Sequence, residues 1–171
     1  MNRRTIWRVP LYLILAGMLC GLSACGGETE LEQQLGIDLE TAQKWEESDT
    51  HGGFHGDGLR TMRFRCEGEQ IEENIKEQAG WHPLPMEESE AIALFYGMET
   101  ETMGYQSAFR TEAGDCFFPK AESGYYILYD RHAESQDPYE MEGILERVSM
   151  NVTAALYDAE TRQLYIAELD T

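Results

Sequence analysis

The chain has 171 residues, with 32 acidic against 13 basic side chains and a formal net charge of −19. So acidic a surface repels phosphate backbones, which are held by Lys and Arg displacing counterions, and this argues against nucleic acid as a partner. The length makes one domain the default and is enough to enclose a real core.

Arg3, Arg4 and Arg8 precede an apolar run from Leu11 to Leu19, and the small residues Gly21, Ser23 and Ala24 follow. A basic start, a short apolar middle and small residues before a cut are the layout of a secretory leader, predicted over residues 1–24. Leu11 to Leu22 is 12 residues, whereas a helix crossing the hydrocarbon core takes about 20. An uncleaved signal anchor from Ile6 to Ala24 is the competing reading, and soluble export after Ala24 is a third.

The ending Leu22-Ser23-Ala24-Cys25 resembles the lipobox of bacterial lipoproteins. The resemblance implies cleavage before Cys25 and a diacylglyceryl group on its thiol. Two acyl chains suffice for stable anchoring, which places the protein on the extracytoplasmic face of the cell membrane. Loss of residues 1–24 removes three arginines and no acids, taking the formal charge from −19 to −22. Anionic headgroups would then hold the body off the bilayer. After the anchor, residues 25–35 read as a tether, because Gly26-Gly27-Glu28-Thr29-Glu30 is small and polar. Residues 36–171 read as a single extracytoplasmic domain without internal repeats.

Within that domain, residues 39–47 fit either a helix or a strand. Strand is favoured, with Thr41 to Thr50 pairing with Leu59 to Cys66, where Met62, Phe64 and Cys66 alternate with Thr61, Arg63 and Arg65. Glu69 to Ala79 reads as an amphipathic helix on Ile71 and Ile75, stopped by Gly80. Trp81-His82-Pro83-Leu84-Pro85 must be extended, since each proline disfavours helix in the residue before it. Helix resumes from Glu87 to Tyr96 with Ala91, Ile92 and Phe95 inward, and Gly97 ends it. Met98 to Cys116 reads as an irregular excursion or a weak strand.

Tyr125 to Tyr129 is predicted as a strand, with its tyrosines in the core rather than exposed for stacking on sugars. Asp130 to Met141 is a polar loop holding Asp137-Pro138. Val148 to Tyr157 and Gln163 to Leu169 are apolar on both faces, as in strands covered on both sides. The sequon Asn151-Val152-Thr153 falls in one of them and is discounted. The expected fold is a single α+β domain with an antiparallel sheet of about five strands and two short helices.

Of the four cysteines, Cys20 leaves with the leader and Cys25 is the proposed anchor. Cys66 and Cys116 remain, as a disulfide or as two unpaired core thiols.

The stretch Ser48-Asp49-Thr50-His51-Gly52-Gly53-Phe54-His55-Gly56-Asp57-Gly58 stands apart, with two histidines and two aspartates among four glycines. One reading is a hairpin connection, in which glycine supplies positive φ and aspartate the turn chemistry. A second takes Asp49, His51, His55 and Asp57 as ligands of a divalent metal, supported by Asp130, His132 or Glu134 from the next loop. A third makes the glycine N–H groups an anion nest, against which the acidic surroundings and the missing Lys count. Ser48, Ser123 and Ser135 lie in no nucleophile motif, and 32 acids give no distinguishing carboxylate pair.

The same stretch, together with Trp81-His82-Pro83-Leu84-Pro85, Asp130-Arg131-His132 and the ending Leu156-Tyr157-Asp158, Leu164-Tyr165 and Leu169-Asp170-Thr171, resembles a group of small uncharacterised lipoproteins of Gram-positive bacteria. The resemblance implies one exported domain and no residue roles. The expected function is non-catalytic. It is a lipid-tethered domain binding a ligand, a protein or an envelope component through Asp49, His51, Gly52, Gly53, His55 and Asp57, with no cofactor. The alternative is a metal-dependent surface hydrolase using His51, His55 and Asp57.

Overall fold

The computed structural model describes residues 26–52, 56–99, 104–132 and 137–171. Residues 1–24, read as a leader, together with Cys25, Gly53, Phe54, His55, Glu134 and Ser135, lie outside the described residues.

A six-stranded antiparallel sheet forms the middle of the domain: β1 (Ala42–Asp49), β2 (Gly58–Cys66), β3 (His82–Pro83), β6 (Gly124–Asp130), β7 (Asn151–Asp158) and β8 (Gln163–Asp170), in the order β1-β2-β8-β7-β6-β3. The short pair β4 (Gly97–Glu99) and β5 (Gly104–Gln106) stands apart from it. Among the described residues three α-helices accompany them: α1 (Gly26–Leu35), α2 (Gln70–Glu77) and α3 (Ser89–Tyr96). The expected α+β class and antiparallel sheet are correct, and the five expected strands are all present. The sixth is the two-residue β3, which lies in the proline segment read as extended.

The expected β1–β2 hairpin also holds, from Ala42 opposite Cys66 to Asp49 opposite Arg60, with a bulge between Lys44 and Glu46. A strand wins over residues 39–47 because β1 completes the sheet edge, while the helical spacing of Leu35 and Leu39 reflects two residues buried beside it in one cluster.

The double-sided apolar pattern of β7 and β8 is the reason for three layers. On one face Met62, Phe64, Ile127, Ala155, Tyr157, Leu164 and Ile166 pack under α1 and α2. On the other, Leu59, Tyr126, Leu128, Val152, Ala154, Leu156 and Ala167 pack under α3 and the segment carrying Phe109, Phe117 and Phe118. The tyrosine run divides as expected of a buried strand, with Tyr126 fully buried and Tyr125 and Tyr129 half-buried. Asp158 builds the β7–β8 turn: its Oδ1 accepts from the Glu160 and Thr161 amides at 2.9 and 3.2 Å.

Two expectations are corrected, and one open alternative is decided. Residues 26–35 are a helix rather than a loose tether, and α1 buries Leu31 and Leu35 completely. It ends at Gly36, whose φ of +66° is the left-handed position that closes helices. The Trp81 indole then donates to the Leu35 carbonyl at 2.8 Å, and Thr153 donates to Gln34 Oε1 at 2.6 Å.

The second correction concerns α2, which stops at Glu77, before Gly80. Gly80 instead accommodates the Tyr139 ring, which a Cβ there would meet at 2.5 Å. Of the two alternatives for Cys66 and Cys116, the disulfide is the one not found, and both are free thiols. Cys66 belongs to the cluster under α1 and α2, whereas Cys116 Sγ lies 3.0 Å from the Phe95 carbonyl oxygen, above the opposite face. The sheet stands between them, so no bridge forms.

Candidate functional site

The ends of four strands meet at one edge of the sheet, and the stems of the 48–58 loop belong to that edge. Gly58 and Asn151 both pair with Asp170, and β6 ends there at Asp130. Charged side chains gather at this end because strand termini are where carboxylates and guanidinium groups reach both water and one another.

His51 is the centre of the cluster. Its Nδ1 lies 2.7 Å from Asp49 Oδ1 and its Nε2 lies 3.0 Å from Asp170 Oδ2. Asp49 Oδ1 also accepts the His51 amide at 2.9 Å, closing an Asx turn. That amide, then the imidazole, holds the Asp49 carboxyl below the usual carboxylate range against the opposing effect of burial. The loop stem is closed further by Thr50, which donates from Oγ1 to the Leu59 carbonyl at 3.1 Å and accepts the Leu59 amide at 2.9 Å. Gly58 must be glycine for a local reason: a Cβ would lie 2.5 Å from His51 Cα.

His51 in the 48–58 loop and Arg131 after β6 share Asp170 as a partner. Asp170 Oδ1 receives Arg131 Nη2 at 3.0 Å, and the same nitrogen reaches the Leu169 and Val152 carbonyls at 3.1 and 3.3 Å. Next to it the fully buried Asp130 carboxylate pairs with Arg147 and accepts the His132 amide at 2.9 Å. Asp170, Arg131 and Arg147 are the residues that sequence reading missed. Asp170 stands 119 positions from His51, and only the β2–β8 pairing brings them together.

Of the predicted metal ligands, Asp49 and His51 lie together and Asp57 does not join them. Both His51 nitrogens face carboxylate oxygens, Asp57 is exposed, and among the described residues no group of three or more His, Cys, Asp or Glu is placed to hold an ion. His55 and Gly53 lie outside the described residues, and Gly52 lies in the described part of the loop without regular structure. His132 contributes its main-chain amide to Asp130 rather than a ligand to His51.

Beside this cluster the sheet face is open. A cavity of about 350 Å³ runs from Ser48, Thr50 and Leu59 to Arg63 and Arg110. A second, of about 380 Å³, continues past Trp45 and Tyr165 to Pro119. Arg63 and Phe117 line both, so the two form one groove. Its floor is β1, β2 and β8, and its wall is the segment from Arg110 to Pro119. Both volumes fall in the range of small-molecule sites, about 300–1,000 Å³.

The Arg63 guanidinium is set among three rings, 5.3 Å from Phe117, 5.7 Å from Trp45 and 5.9 Å from Tyr165. Glu46 holds its Nη1 at 2.7 Å. A third cavity, of about 660 Å³, lies between α3 and the loop near Tyr139 and is walled by Glu88, Glu90, Glu140 and Glu142.

Comparison with protein-family models, with curated proteins and with solved structures finds no match to this chain.

Proposed function

We propose that the protein is a lipid-anchored extracytoplasmic domain that binds a ligand without catalysis, in the groove beside the 48–58 loop. The single observation that carries this is the division of labour at the sheet edge. The polar groups of the loop stem are spent on one another and on Asp170, while Ser48, Thr50 and Leu59 form the rim of an open cavity. The loop is thereby a buttress for the groove. Two acyl chains on Cys25 supply the anchor.

Two measurements test the reading. Mass spectrometry of native material should find a mature terminus at Cys25 carrying diacylglyceryl mass, and Cys25→Ala should abolish palmitate incorporation. A terminus that retains residues 1–24, or carries no lipid, overturns the anchor. For binding, the full chain in detergent is screened by thermal shift against saccharides, peptides and divalent metal salts, because any ligand of the native state raises Tm by mass action. A hit should be lost in Ser48→Trp, which fills the cavity. The absence of any hit, or hits indifferent to that substitution, overturns the groove as a binding site.

A further inference from the structure

We infer that the groove is a subsite for a neutral saccharide chain, a conclusion that rests on the groove being the binding surface and names its ligand. Three observations point the same way.

The first is the indole of Trp45. It is 48% exposed, one of two large apolar side chains left open among the described residues. It stands at the mouth of the groove with the Arg63 guanidinium at 5.7 Å. A sugar ring has an apolar C–H face and a polar rim. An exposed, immobilised aromatic plane matches the former, and planar fork-like groups beside it match the latter. Arg63, Glu46 and Gln163 are such groups, and all three line the groove.

The second is charge. The charged residues that line the groove are Arg63 and Arg110 against Glu46 and Glu112, an even count. The chain as a whole carries −19. A polyanion is repelled by that background and a polycation is drawn to the surface at large. A balanced groove in an acidic body discriminates for a neutral ligand.

The third observation separates sugar from peptide. An extended peptide draws its affinity from main-chain pairing with an open strand edge. Here the floor is the face of β1, β2 and β8, with β2 bonded to both neighbours and only β1 keeping an unpaired outer edge. In the wall, the amides of Thr111, Gly114 and Phe117 donate to the carbonyls of Asp115, Thr111 and Phe109. The groove therefore offers chiefly side chains, and hydroxyl groups are what such side chains recognise.

The test uses the full chain in detergent and neutral hexasaccharides of glucose, xylose, mannose and N-acetylglucosamine as probes, with hexagalacturonate and neutral heptapeptides as controls. At least one neutral hexasaccharide should bind with a Kd of about 10 µM to 1 mM, read by calorimetry and by tryptophan fluorescence. Trp45→Ala should weaken it at least about tenfold, while Trp45→Phe, which keeps an aromatic plane, should restore most of the affinity. Trp45 lies at the surface, so both variants are expected to melt as the parent does. The inference is overturned if no neutral hexasaccharide binds at about 10 mM, or if Trp45→Ala binds as tightly as the parent. Should heptapeptides bind instead and be blocked by Ser48→Trp, the saccharide assignment fails while the groove stands. Should nothing bind, both fail.

Discussion

His51 Nε2 and Asp170 Oδ2 are 3.0 Å apart, although 119 residues of chain separate them. This contact ties the β1–β2 connection to the last strand, and Arg131 on Asp170 Oδ1 extends the tie to β6. Asp170→Ala removes the carboxylate that partners both His51 and Arg131. The side chains are about a quarter exposed, so solvent screens the interaction, and a loss of about 1 kcal/mol in stability is expected. Hydrogen exchange should localise it, with amides of 49–51 and 58–60 exchanging faster and β7 unchanged. Uniform acceleration across the sheet, or none at the stem, would contradict the tie.

The helix α1 makes a stronger demand. Leu35 is fully buried among Leu31, Ile71, Ile75 and Trp81, and the carbonyl of the same residue accepts the Trp81 indole N–H. Leu35→Ala should cost about 2–5 kcal/mol, the range for a core leucine whose site cannot collapse. Urea denaturation of the full chain measures it. A cost under about 1 kcal/mol would mean that 26–35 is the loose tether its composition suggests.

That helix shows where the sequence was legible and where it was not. Alternation in Met62, Phe64 and Cys66, the run Tyr125 to Tyr129, and apolar residues on both faces of 148–157 and 163–169 are local signals of strands; they placed four of the five principal strands, and the hairpin pairing placed the fifth. The composition of Gly26 to Glu30 is equally local and points to a tether, because Leu31 and Leu35 acquire meaning only when a sheet face lies beneath them. Gly80 looked like a helix stop, yet it is small because of Tyr139, a residue far along the chain. The His51–Asp170–Arg131 cluster was half legible. The loop was conspicuous by its histidines, but its partners are common residues selected by strand register alone. The groove was not legible, because Trp45, Arg63, Phe117 and Tyr165 come from four separate segments.

The two free thiols should differ sharply in reactivity. Cys66 is 4% exposed, and burial pushes its thiol up to about 11, with the Leu164 main chain opposing. Almost none of it is thiolate at neutral pH, and thiolate is the reactive form. Cys116 is exposed. Iodoacetamide on the native protein, followed by peptide mass spectrometry, should label Cys116 and leave Cys66 unmodified until denaturant is added. Equal labelling of both under native conditions would show that the cluster around Cys66 opens readily.

Alkaline stability follows from the buried phenols. Burial, ahead of nearby acidic groups, pushes Tyr126 and Tyr157 up to about 12, and burial also takes Tyr96 to about 12. An unfolded tyrosine ionises near pH 10. A folded-state value above the unfolded one means that the native state prefers the neutral phenol. The contribution is therefore complete below about pH 10 and lost as pH rises from 10 through 12. Among the described residues no tyrosine is exposed, and Tyr126 and Tyr157 are buried. The rise in phenolate absorbance from these rings should accordingly coincide with loss of near-ultraviolet circular dichroism. Tyr157→Phe removes one of the groups that must ionise and should move the unfolding midpoint to higher pH, provided the hydroxyl's removal leaves the packing intact. A single step near pH 10 without unfolding would show that these rings are open to solvent, contrary to their place between the sheet and its helices.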